Sequence, residues 1–80
     1  MSYFVYAIKS KFDGRIYVGF TENVQNRLKE HNSGKTKSTK GYRPWDLIFT
    51  TECQTRTEAR KLEKYYKGGS GKEKLKQMVP

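Results

Sequence analysis

Apolar positions open the chain in two short alternating runs, around Phe4-Val5-Tyr6 and Tyr17-Val18-Gly19, separated by the turn signal Lys11-Phe12-Asp13-Gly14. The pattern predicts a hairpin with strands over 3–9 and 15–19. If Ala7 faces Ile16 and Val5 faces Val18, one sheet face carries four aliphatic side chains. Tyr6 and Tyr17 then lie opposite each other on the other face, where a phenol can serve packing or chemistry.

After the hairpin the apolar period lengthens. Thr21 or Asn23 is suited to cap a helix that runs to about His31 and stops at Asn32-Ser33-Gly34. Val24 and Leu28 form its inner stripe. At about 100° per residue, His31 falls on the same side, with Arg27 at its margin one turn below.

Lys35 to Arg43 contains Lys35, Lys37, Lys40 and Arg43 among Ser, Thr and Gly, and Pro44 closes it. So polar a composition predicts a flexible basic loop, either a phosphate-gripping arm or a solvated connector. Trp45 to Cys53 reads as a third strand, with Leu47 and Phe49 on one face and Ile48 on the other. Thr55-Arg56-Thr57-Glu58 fits a capping box for a helix ending at Lys67, before Gly68-Gly69.

On that second helix Ala59, Leu62 and Tyr66 form the apolar arc, and Glu63 falls inside it. A carboxylate turned towards a core costs several kcal/mol unless a metal, a cation or a hydrogen-bond network receives it. The bland partner is Lys67, at i+4. Arg56, Arg60, Lys64 and Lys67 cluster on one flank. Ser70 to Met78 has the pattern of a short basic helix with Leu75 and Met78 turned inwards, and Pro80 stands last.

Eighty residues are enough for one domain, 1–80, with a small core. The lone cysteine, Cys53, excludes an internal disulfide, and no ligand spacing suits zinc. No apolar run approaches the roughly 20 residues of a membrane span, and there is no signal-peptide core. A cytoplasmic protein with no membrane partner is expected. Seventeen Lys+Arg against eight Asp+Glu give a net charge of +9, which a polyanion would relieve. Phosphate backbone is the commonest such partner inside a cell, and a ribosomal surface, an anionic membrane surface or solubility alone fits the charge as well.

Taken in order, Phe4-Val5-Tyr6, Tyr17-Val18-Gly19, Arg27-Leu28, His31-Asn32, Gly34, Pro44-Trp45 and the helix bearing Glu63 resemble a small stand-alone GIY-YIG endonuclease domain. The resemblance covers nearly the whole chain and implies an α+β fold, a three-stranded antiparallel sheet flanked by helices. It also implies a metal-dependent endonuclease acting on DNA, with RNA a further partner, structure-selective and linked to repair or recombination. Glu63 would be the ligand of Mg2+ or Mn2+, and Arg27 would lie against the scissile phosphate. Tyr6 and Tyr17 would line the site, one of them activating or orienting the attacking water. His31 would stand beside them, and Gly19 would allow close backbone approach.

Such chemistry needs a deprotonated water, charge compensation on the phosphoryl group and protonation of the leaving oxygen. An unperturbed phenol has a pKa near 10 and needs help to act as a base, whereas a histidine is the easier base near neutral pH. Lys35, Lys37, Lys40, Arg43, Arg60, Lys64 and Lys67 are the candidate nucleic-acid contacts. The family pattern is departed from at Phe4, which replaces a glycine, and at Phe20, which either crowds the entrance or offers a stacking surface. The alternatives are a basic DNA- or RNA-binding module without turnover and a protein-interaction domain of a repair or ribosomal complex. A monomer or weak dimer is expected.

Overall fold

The computed structural model describes residues 2–78, so Pro80 lies outside them. The elements are β1 (Tyr3–Ser10), β2 (Ile16–Thr21), α1 (Val24–Ser33), β3 (Trp45–Cys53), α2 (Arg56–Lys67) and α3 (Gly69–Met78), with a 3-10 turn at Lys40–Tyr42. The sheet is antiparallel in the order β2-β1-β3, so β1 is central. This is the three-stranded, helix-flanked α+β arrangement expected from the sequence.

The hairpin register differs from the expected one. Ala7 pairs with Val18 and Val5 with Phe20, so Tyr6 faces Gly19 and Tyr17 faces Ile8. Tyr6 and Tyr17 are therefore diagonal neighbours and not directly opposed. The cause lies in the turn: Ser10 pairs with Arg15, so all four residues 11–14 stay in the loop, whereas the expected register pairs Ser10 with Asp13 and leaves room for only two. Ser10 N donates to Arg15 O, and Ser10 Oγ accepts from the backbone N–H groups of Phe12 and Asp13. The slip is two residues, and a slip by an even number leaves every side chain on its expected face.

Those faces carry two cores. Val5, Ala7 and Val18 meet Ala59, Tyr66 and Leu75 beneath α2 and α3. Tyr6, Ile8 and Trp45 meet Val24, Leu28 and Leu47 beneath α1. Contrary to expectation, Leu47 and Phe49 lie on opposite faces. Along β3 the partner changes from Phe49 opposite Ala7 to Leu47 opposite Ile8, so Ile48 is the extra residue of a bulge. Strict alternation fails at such a residue, and Ile48 and Phe49 both pack under the helical pair.

Helix ends follow their caps. Asn23 Oδ1 accepts from Asn26 N, and Gly34 closes α1 in the left-handed region at φ 87°, a conformation that favours glycine. Thr55 Oγ1 accepts from Glu58 N, but the Glu58 carboxylate accepts from Gln54 N and not from the cap residue's own amide. In α3, Leu75 is fully buried, while Met78 is exposed, correcting its expected inward position. Cys53 is a free, buried thiol on β3, and burial pushes its pKa up, away from reactivity.

The basic segment between α1 and β3 is not a free arm. Thr36 O accepts from Thr39 N and Lys40 N, and Ser10 Oγ donates to Tyr42 O. Asn32 holds the far end by donating to Trp45 O and accepting from Trp45 N. Thr39 is buried there with its polar groups paired, while the lysines around it stay exposed, a division that composition alone does not reveal. Among the described residues, no helix is long and apolar enough to cross a membrane.

Candidate functional site

The site begins with Tyr6, whose phenol rises from the central strand and crosses the neighbouring edge strand at Gly19. A Cβ built on Gly19 would stand 2.8 Å from the Tyr6 hydroxyl, so a side chain at that position would displace the ring. Only a hydrogen fits there. Tyr6 is 2% exposed, and its hydroxyl lies 2.8 Å from Nε2 of His31.

His31 reaches this point because it lies on the buried side of α1, as its spacing from Val24 and Leu28 requires. Its other ring nitrogen, Nδ1, lies 2.8 Å from Thr39 Oγ1. The Tyr17 ring packs edge-on against the imidazole at 5.0 Å between centroids, and Trp45 stands edge-on to Tyr17 at 6.4 Å. The imidazole is fully buried. Burial and then the nearby Arg27 charge push its pKa down to about 4, against a weaker upward pull from Glu30. The ring is therefore neutral at physiological pH and touches Tyr6, not the solvent. Any effect on a substrate passes through the phenol, which alters the expectation of His31 as the easier base.

Arg27 sits at the margin of the same helical face. Its Nη1 donates to Glu30 Oε1 at 2.8 Å, an i,i+3 pair that holds the guanidinium in place. Glu30 was not singled out from the sequence; the i,i+3 spacing was the available signal. Arg27 also stands beside the Tyr6 hydroxyl. Burial pushes the Tyr6 pKa up to about 12, Arg27 opposes that rise, and the Tyr17 and Glu63 charges add to it. Charges from α1, β2 and α2 thus act on the one oxygen that β1 presents.

Glu63 is partly buried, with 17% of its side chain exposed, as its place in the apolar arc of α2 requires. Lys67 Nζ lies 3.5 Å from Glu63 Oε2, so the bland i,i+4 partner is present too. Among the described residues, no group of three or more His, Cys, Asp or Glu side chains gathers to hold a metal ion. A single carboxylate suits Mg2+ or Mn2+ better than zinc, because these hard ions keep several waters and take oxygen from substrate phosphates. The donor chemistry of a lone, partly buried carboxylate at Glu63 is of the kind such an ion takes, and here that carboxylate is paired with Lys67.

The other basic residues singled out from the sequence stay at the surface. Lys35, Lys37, Lys40, Arg60, Lys64 and Lys67 are all exposed. Arg43 is exposed as well, yet its Nε donates to Lys40 O and its guanidinium lies over Gly34, giving it a structural role in the loop. Thr39, 1% exposed, is a part of the site framework that the sequence did not single out, and Asn32 entered only with the resemblance and without a role. Both are short polar residues in polar sequence, and only their tertiary partners distinguish them.

The chain is similar to several known proteins. A family model described as the GIY-YIG catalytic domain matches residues 2–76. UPF0213 protein YazA of Bacillus subtilis is 40% identical over 74 residues, covering 91% of this chain and 74% of that protein. The structure-specific endonuclease subunit slx1 of Xenopus laevis is 42% identical over 51 residues, which are 59% of this chain and 18% of that protein. The solution structure of UPF0213 protein BH0048 from Bacillus halodurans matches with a TM-score of 0.59 at 36% identity. That match covers 98% of this chain and 85% of the other.

Proposed function

Because this chain belongs to the family of GIY-YIG catalytic domains, we propose that it is a divalent-metal-dependent endonuclease that hydrolyses DNA phosphodiester bonds. The supporting observation is the Tyr6 hydroxyl seated over Gly19 and 2.8 Å from His31 Nε2, with Arg27 beside it and Tyr17 packed against the same imidazole. In this reading Glu63 holds Mg2+ or Mn2+, which when bound supplies Lewis-acid stabilisation of phosphoryl charge.

The chain's own residues do the rest. The Arg27 guanidinium, already ordered by Glu30, meets the non-bridging oxygens of the scissile phosphate and compensates their developing charge. Tyr6 orients the attacking water through its hydroxyl, with His31 Nε2 behind it able to share the phenolic proton. Tyr17 walls the site beside the imidazole. The exposed lysines of the loop and of α2 neutralise flanking phosphates and give sequence-independent affinity.

The relatives called structure-specific endonuclease subunits share a 51-residue stretch with this chain. Their name describes structure-specific cleavage, and in our reading this chain is structure-selective too, acting on branched or flap DNA in repair or recombination, in the cytoplasm. The reading is tested by a panel of duplex, nicked, flap and branched DNA with Mg2+ or Mn2+. Wild type should cut at least one of these, while folded Glu63→Gln and Arg27→Ala proteins should not. Equal cleavage by wild type and Glu63→Gln would reject the assignment. A binding module without turnover is the second reading, favoured by Lys67 occupying the Glu63 carboxylate. It predicts salt-sensitive DNA binding with no product under any divalent ion.

A further inference from the structure

The basic loop meets the site through a buried hydroxyl. Thr39 Oγ1 lies 2.8 Å from His31 Nδ1 and 3.3 Å from the Thr36 carbonyl oxygen. A carbonyl only accepts, so the Thr39 proton has a receiver there, leaving its oxygen free to accept from Nδ1–H. At the other end of the ring, Arg27 is a pure donor beside the Tyr6 oxygen. If Nε2 also donated to that oxygen, the phenolic proton of a side chain 2% exposed would lose its nearest acceptor. Both ends therefore favour one direction. Tyr6 O–H donates to Nε2, Nδ1–H donates to Thr39, and Thr39 O–H donates to Thr36.

Thr39 itself is held from a second side. Its carbonyl accepts from Trp45 Nε1 at 2.9 Å, and Trp45 is gripped at its backbone N–H and carbonyl by Asn32. We propose that Thr39 is a positioning residue that fixes His31 as its Nδ1-protonated tautomer, leaving Nε2 to accept from Tyr6 and tying the basic loop to the orientation of the phenol. A neutral imidazole offers one donor and one acceptor, and the partner of one nitrogen sets the role of the other. The loop carrying Lys35, Lys37 and Lys40 thereby meets the reacting edge through a fixed hydrogen-bond path and not through flexible lysine side chains alone.

The kinetic consequence rests on the nuclease reading, but the tautomer does not. His31 is the only histidine in the chain, so ring 15N spectroscopy of the intact protein at pH 7 reads it without overlap. Wild type and Thr39→Ser should show protonation at Nδ1. Thr39→Val, nearly isosteric but without an acceptor, should move the proton to Nε2. With the DNA panel and Mn2+, kcat of Thr39→Val should fall by up to about 100-fold with KM kept, as for a misoriented reacting group, and Thr39→Ser should restore it. An Nε2-protonated ring in wild type overturns the inference, whatever the stability of the valine variant. So does a Thr39→Val ring that stays protonated at Nδ1. Because the ring is read without substrate, absence of cleavage by every protein would reject the nuclease reading while the spectra still decide the role of Thr39.

Discussion

The hydroxyl of Tyr6 and Nε2 of His31 lie 2.8 Å apart in a buried contact between the central strand and α1. Each satisfies the other, so removal of one strands a polar atom away from water. Tyr6→Phe should destabilise the fold by about 1–3 kcal/mol, the cost of an unpaired buried acceptor. Urea unfolding of the two proteins measures it. A variant as stable as wild type would show that the bond contributes nothing.

The same burial makes stability depend on pH. The His31 pKa is pushed down to about 4 from an ordinary 6.5, so the folded state favours the neutral ring. Its contribution is complete above pH 6.5 and is lost progressively as pH falls through the folded value, a total of about 3 kcal/mol. Tyr6 gives the mirror case. Its pKa is raised to about 12, chiefly by burial, so its contribution is complete below pH 10 and is lost as pH rises above that. Urea midpoints should form a plateau between these limits and fall on both sides. His31→Gln should flatten the decline between pH 7 and 5, and an unchanged slope would remove histidine as its cause.

Gly19 has no room for a methyl group, since its Cβ would press on the Tyr6 hydroxyl at 2.8 Å. Gly19→Ala should push the phenol off His31, costing about 1–3 kcal/mol as other overpacked sites do. Any DNA cleavage should fall with it, while the far-ultraviolet circular dichroism stays that of wild type. An alanine variant that cuts DNA as well as wild type would mean that Tyr6 does not need its present position.

Lys67 competes with any cation for Glu63, from 3.5 Å away. The pair is largely open to solvent at its lysine end, so Lys67→Met should change stability by less than about 0.5 kcal/mol. Affinity for Mn2+ should rise, read as paramagnetic broadening of signals around Glu63 at lower metal concentration. Broadening that is unchanged, or centred elsewhere, would argue against Glu63 as the ligand.

Lys35, Lys37 and Lys40 are exposed on the loop that Thr39 anchors. If each meets a phosphate, each Lys→Ala change should weaken DNA binding for all sequences alike. Each should also lower the slope of log K against log salt by about 1. Titration between 50 and 200 mM salt measures this, and slopes unaffected by the three changes would place the DNA elsewhere.

The chain's sequence determined its elements, because those depend on near neighbours. Alternation set the two hairpin faces, Asn23 and Gly34 bounded α1, Thr55 opened α2, and helical spacing turned His31 and Glu63 inwards. The resemblance identified the family from the order of these motifs. Tertiary structure alone decided the rest. The two-residue shift of the hairpin came from Ser10 binding its own turn, and the separation of Leu47 from Phe49 came from a bulge at Ile48. Neither leaves a mark on local polarity. The basic loop looked free because its residues are polar, yet Thr39 and Asn32 are held by groups far along the chain. A hydrogen bond is short and directional, so its partner depends on how strands and helices are assembled, whereas hydrophobic period records only which side of an element faces inwards.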